Sequence, residues 1–177
     1  MTDSTIEPYE IRESYHNYIR RRDREEDERQ LKWDNRFMTM AELISLWSKD
    51  PSSQIGAVCV NDERRILATV YNGFPKGIED TEERLNNRDE KYPRIVHAET
   101  NALMNALYSG VSLKNATIYV HGLPVCPECT KLIIQAGIRR VVIREATYDT
   151  PEKWVDLWEE QSAPMLKEAG ISVTYLG

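Results

Sequence analysis

The chain has 177 residues, with 23 Lys and Arg against 29 Asp and Glu (net charge −6), three cysteines and 41% hydrophobic residues. That is the profile of one ordinary globular domain, able to bury roughly 70% of its unfolded surface without disulfide or metal staples. The acidic balance speaks against a polyanion partner, the odd cysteine count against a disulfide framework, and the lack of any run of ~20 apolar residues against a membrane span.

No signal-peptide core is visible near the start, so the expected setting is the cytoplasm, with no nucleic-acid and no membrane partner. Residues 1–32 carry 7 basic and 9 acidic side chains, and every position from Arg20 to Arg29 is charged. This stretch reads as a charged N-terminal extension, a solvated helix face or mobile arm, ahead of a single domain over 33–177. Trp33, Phe37, Met40 with Ala41, Ile44 and Trp47 then recur every three or four positions, which predicts an amphipathic helix ending near Ser48, stopped by Lys49-Asp50-Pro51. The β-rich runs Gln54–Val60 and Arg65–Tyr71 flank Asn61-Asp62-Glu63-Arg64 and should form an antiparallel hairpin.

Gly73 to Arg94 is a long charged connection, with a short helix expected around Thr81–Lys91; connections of that length inside a compact domain are commonly functional. From Val96 a helical pattern runs to a stop at Gly110, followed by a buried strand over Thr117–Val120. A helix over Pro127–Ala136 closes on Gly137 and precedes the short strand Arg140–Ile143. Thr150-Pro151 opens a helix with Trp154, Leu157 and Trp158 on one side, which Pro164 should kink or divide. Gly170 ends it, and Ile171–Leu176 is the last strand. The order contains βαβ units whose crossover helices cover sheet faces, so the expected fold is α/β: a three-layer α/β/α sandwich around a mixed five-stranded sheet. All four tryptophans lie on the first and last long helices and read as core packing.

The residues that carry chemistry are His97-Ala98-Glu99, opening one helix, and Cys126-Pro127-Glu128-Cys129, opening another, with one strand between. Cysteines at i and i+3 project to one side of a helix and can grip one ion, and helix N-termini favour thiolates. His97 and Glu99 stand ~160° apart on a regular turn, so His97 binds and Glu99 works on what is bound. One His and two Cys leave a tetrahedral Zn²⁺ with an open fourth position, the mark of catalysis more often than structure. Cys59, alone in an apolar strand, reads as a small buried hydrophobe, His121 as a loop or substrate-facing residue, and His16 as surface.

These motifs are similar to the signature of the zinc-dependent nucleobase deaminases. Within that superfamily the chain resembles the deoxycytidylate (dCMP) deaminases. The matching stretches are WDNRFMTMAELISLWSKDPSSQIGAV, YNGFPKG, HAETNAL with its Asn101, and CPECTKLIIQAGIRRVV, which together span Trp33 to about Val142. The family usually has proline directly before the first zinc cysteine. Pro124-Val125-Cys126 holds one residue more, which should shift the loop Gly122–Val125 that lines the pocket.

The resemblance implies hydrolysis of dCMP, and of dCTP as a further candidate, to the uracil nucleotide and ammonia. One Zn²⁺ would sit on His97, Cys126 and Cys129, and its hydroxide would add to C4 of cytosine while Glu99 shuttles protons. It points to Lys49 and Asn72 for phosphate and sugar and to the backbone of Ala98 for the pyrimidine edge. Arg84, Arg88 and Lys91 would form a basic stripe if their segment is helical, and with Lys76 and Arg94 could hold further phosphates. Family members are typically homohexamers tuned by dCTP and dTTP near YNGFPKG, and Mg²⁺ would accompany a bound nucleoside triphosphate.

Two other readings are a deaminase acting on nucleic acid (tRNA adenosine or single-stranded DNA cytosine) and a non-catalytic zinc-binding module. The first needs a basic, aromatic groove and the second a fourth protein ligand.

Overall fold

The structure is a computed structural model that describes residues 8–177, with side chains from residue 16 onward; residues 1–7 of the charged extension lie outside the described residues. Helix α1 runs without interruption over Pro8–Ser45 and contains the whole Arg20–Arg29 run. By their internal contacts, Met1–Asn35 and Arg36–Gly177 form separate units. The second unit carries all the strands: β1 Gly56–Val60, β2 Ile66–Tyr71, β3 Thr117–His121, β4 Arg140–Arg144 and β5 Ser172–Leu176. They form one sheet in the order β2-β1-β3-β4-β5, in which β1 pairs antiparallel with β2 and β3 while β3-β4-β5 run parallel. The mixed α/β sheet is the one expected.

The turn between β1 and β2 closes at Asn61, which receives the Arg64 N–H on its carbonyl and the Arg65 N–H on its side chain, with Arg64 in the left-handed region at φ 63°. Because side chains alternate along a strand, the sheet has two buried faces. On one face Ala57, Cys59, Ile118, Val120, Val141 and Ile143 join a core with Ala102, Leu103, Ile133 and Leu166. These last four belong to α4 (Ala98–Tyr108), α5 (Pro127–Gln135) and α7 (Ala163–Glu168). On the other face the ring of Tyr119 meets that of Phe37 at 5.3 Å, and Met38 and Ala41 are fully buried beside it. Gly56 permits this layer: a Cβ there would meet backbone of α1, with the Ser45 nitrogen at 2.8 Å. Helices on both faces make three layers.

Several sequence expectations need correction. The buried stripe of α1 includes Met38 and not Met40, and Trp47, in the turn after the helix, is 63% exposed, its ring edge-on to Tyr71. The charged connection folds as two short helices, α2 (Glu82–Asn86) and α3 (Arg88–Lys91), because the Asn87 side chain accepts the Asp89 N–H and caps a new start. Arg84 and Lys91 therefore share no single helical stripe. Past β4, α6 (Glu152–Leu157) enters a π-helical turn, Trp158–Ser162, in which the Ala163 N–H reaches five residues back to the Trp158 carbonyl before α7. Pro164, with no N–H and a ring that crowds the preceding turn, accounts for the break.

Candidate active site

Two helix starts, those of α4 and α5, meet at the site. His97 is the N-cap of α4, with extended backbone at φ −65°, ψ 150°. It therefore lies outside the regular turn, and its side chain and that of Glu99 converge on one cavity despite their i, i+2 spacing. Cys126 is the N-cap of α5, its sulfur accepting the Cys129 N–H at 3.4 Å, with Pro127 at the position where a missing N–H costs nothing. The His97 Nδ1 stands 3.4 Å from Cys126 Sγ and 3.4 Å from Cys129 Sγ, and the three donor atoms all lie within 4.8 Å of one another. Thr100 Oγ1 is 3.4 Å from Cys129 Sγ, and Thr130 donates to the Cys126 carbonyl at 3.0 Å, which fixes both thiol-bearing turns.

This donor set fits zinc. Ligand atoms about 2.0–2.3 Å from a tetrahedral ion lie roughly 3.5 Å apart, which is the spacing found, and two thiolates with one imidazole suit a borderline-soft cation. Among the described residues, only these three form such a group. The hydrogen bond from Cys129 and the His97 ring hold the Cys126 thiol well down, at about 4. Cys129, which keeps the shared proton and is buried, is raised. The same bond to Cys126 raises His97. Glu99 is 4% exposed, and burial pushes its carboxyl up to about 7, against the pull of His97. A carboxyl poised there can both take and give a proton near neutral pH.

The cavity above them has a volume of about 510 Å³, in the range of small-ligand sites. The loop between α1 and β1 lines it with Asp50, Ser52, Ser53 and Ile55. Asn72 holds that loop: its Oδ1 accepts the Ile55 N–H at 2.8 Å and its Nδ2 donates to the Ser53 carbonyl at 2.9 Å. Lys91 reaches the same loop from α3, with Nζ 2.9 Å from Asp50 Oδ1 and 2.9 Å from Ser52 Oγ. Ala98, fully buried, is the first residue of α4. Asn101 donates to the Tyr71 carbonyl at 2.9 Å and ties α4 to β2.

Lys49 does not line this cavity. It is exposed and pairs with Asp80 at 2.9 Å. Arg84 bonds the Glu79 carbonyl and Arg94 pairs with Glu90, which leaves Arg88 and Lys91 as the basic residues of the connection at the cavity. His121 also lies elsewhere, on the α1 face opposite Gly56, half-buried and lowered in pKa by that burial, with its Nδ1 unpartnered. Gly122, at φ 117°, starts the loop to Cys126; a Cβ there would stand 2.5 Å from Ile55 Cδ1. The extra residue of that loop, Val125, is fully buried in the core, so Leu123 and Pro124 face the cavity. Cys59 is buried in the sheet and raised to about 12 by that burial, an inert thiol.

Sequence reasoning missed Asp50, Ser52, Lys153 and Trp154 as lining residues. Trp154 packs partly on the core but also borders the cavity, its ring 6.4 Å from that of His97. No local signal separates such a tryptophan from a core one.

The profile of the family described as cytidine and deoxycytidylate deaminase zinc-binding region matches residues 31–145. The chain is 40% identical over 145 residues to an uncharacterized deaminase in the luxG 3′ region of Aliivibrio fischeri, covering 82% of this chain and 94% of that protein. It is 44% identical over 130 residues to the deoxycytidylate deaminase of Mus musculus, covering 70% of each. Among solved structures, dCMP deaminase from the cyanophage S-TIM5 in complex with dCMP and dUMP superposes with a TM-score of 0.62 at 29% identity, over 80% of this chain and 95% of that one. By profile, by sequence and by fold around a His-Cys-Cys donor set, this chain belongs to the zinc-binding cytidine and deoxycytidylate deaminase family.

Proposed function

We propose that the chain hydrolyses the free nucleotide dCMP to dUMP and ammonia. The observation that carries this reading is a buried carboxyl, Glu99, beside a His97, Cys126, Cys129 donor set in one nucleotide-sized cavity. Zinc held by His97, Cys126 and Cys129 would supply an acidified water, its pKa brought toward about 7. Glu99 takes a proton from the attacking water, delivers it to N3 of cytosine as the oxygen adds to C4, and passes a second to the departing amine. The backbone of Ala98, at the helix start, meets the pyrimidine edge. Asn72 keeps one amide hydrogen and one lone pair beyond its loop bonds for the sugar.

The relatives' names favour a deoxycytidylate substrate over nucleic acid. The same reading makes the protein cytoplasmic, where its thiols stay reduced, and a homo-oligomer, a hexamer by family resemblance. dCTP and dTTP would act as effectors, with Mg²⁺ accompanying the triphosphate. The test is ammonia release from cytidine, dCMP, dCTP and a short single-stranded oligonucleotide, with molar mass and zinc content measured on the same sample. Turnover of dCMP is expected; turnover of the oligonucleotide alone would replace this reading.

A further inference from the structure

Helix α6 lies beyond residues 31–145, the part of the chain matched to the family, yet Lys153 and Trp154 on it line the same cavity as His97 and Glu99. The Trp154 ring is half-buried and stands edge-on to His97, so it forms an apolar wall next to the metal-binding imidazole. The ammonium of Lys153 is 5.9 Å from the centre of that ring. Arg88, also exposed, lines the cavity too. The third cation there, Lys91, is already neutralised by Asp50. Among the described residues, no carboxylate pairs with Lys153 or Arg88. In a chain of net charge −6, two exposed cations without a carboxylate partner, lining one cavity with an aromatic wall, make a site for a flat ring that carries an anion.

We propose that Lys153 and Trp154 are specificity-determining residues of this active site. Trp154 is the wall against which the pyrimidine lies, and Lys153, with Arg88, seats the substrate's 5′-phosphate monoester. The charges match, since a phosphate monoester carries about −1.5 to −2 at pH 7. This assignment rests on the reading that the cavity takes a deoxycytidine nucleotide, and it adds what separates nucleotide from nucleoside.

The experiment compares kcat/KM for dCMP and for deoxycytidine in the zinc-loaded chain and in Lys153→Ala, Lys153→Glu, Arg88→Ala, Trp154→Ala and Trp154→Phe. The dCMP-to-deoxycytidine ratio should fall about tenfold or more in Lys153→Ala and Arg88→Ala, and further in Lys153→Glu, with the change carried by KM for dCMP. Trp154→Ala should lower kcat/KM for both substrates by about tenfold or more, with Trp154→Phe recovering most of it. A parent chain that turns over dCMP while Lys153→Glu and Arg88→Ala keep its ratio overturns the phosphate assignment. Trp154→Phe as impaired as Trp154→Ala overturns the wall. A parent chain inactive on every cytosine nucleotide fails at the earlier step and removes the functional reading along with this one.

Discussion

Replacing Lys91 by methionine tests whether the buried ion pair at the cavity wall holds the loop that forms it. Methionine nearly matches the aliphatic stem of lysine, so the change is chiefly the loss of one charge. The Lys91 and Asp50 side chains are 4% and 7% exposed and meet at 2.9 Å. At an effective dielectric of about 20 their attraction is on the order of 6 kcal/mol, most of which offsets the desolvation of both ions. Removing only the lysine leaves the desolvation of Asp50 in place, which typically costs about 3–5 kcal/mol. Asp50 keeps the N–H groups of Ser52 at 2.8 Å and Ser53 at 3.3 Å, so the low end, about 3 kcal/mol, is expected. For a chain of this length that is a fall in Tm of about 6–12 °C. Urea unfolding and calorimetry of Lys91→Met, Asp50→Asn and the double variant would measure it. The double variant should lose less than the sum of the singles, because the two changes remove one shared interaction. KM should rise as well, since Ser52 and Ser53 line the cavity. A loss below about 1 kcal/mol, or strict additivity of the singles, would refute the argument.

Glu99→Gln should keep its zinc by elemental analysis while kcat drops about 10²- to 10⁴-fold, whereas Cys129→Ser should lose metal; near-normal turnover in Glu99→Gln would remove Glu99 from the chemistry. Gly56→Ala should destabilise the fold by about 1–3 kcal/mol or more in denaturant, because its Cβ meets helix backbone that cannot swing aside; unchanged stability would show that α1 can shift. Burial lowers the pKa of His121 below its ordinary value in the folded chain. The stability it contributes is therefore present above about pH 6.5 and lost as pH falls through its depressed folded value. Denaturation midpoints should fall more steeply with acid in the parent than in His121→Gln, and parallel curves would contradict this.

The mixed sheet and its flanking helices were legible because each element carries its own periodicity: alternation or a β-branched run in Gly56–Val60 and Ile66–Tyr71, three-and-four spacing in Ala98–Tyr108. What the sequence does not carry is which partner a residue meets across the fold. Lys49 and Lys91 are equally basic in the chain, but Asp80 claims the first at the surface while Asp50, next to Lys49 in sequence, claims the second inside. Hydrophobicity alone likewise fails to sort the tryptophans: Trp158 is buried, Trp47 is exposed past a helix end, and Trp154 borders a cavity. The sequence suggests one short helix around Thr81–Lys91, and the break at Asn87 is not read from it. Choosing between one helix and two depended on which amide capped which turn.

The position of α6 in the chain has a consequence for how such proteins diversify. The groups proposed to hold metal and move protons sit at the starts of α4 and α5, while α6 and its π-helical turn bridge β4 and β5 and bury Trp158 in the same core. A π-turn absorbs an added residue without disturbing the helix on either side. On the assignment of Lys153 and Trp154 proposed above, exchanges at the cavity-facing positions of α6 would redraw substrate preference while Trp158 and Leu166 keep the core that α4 and α5 share, so new selectivities arise on one helix face and not by rebuilding a catalyst.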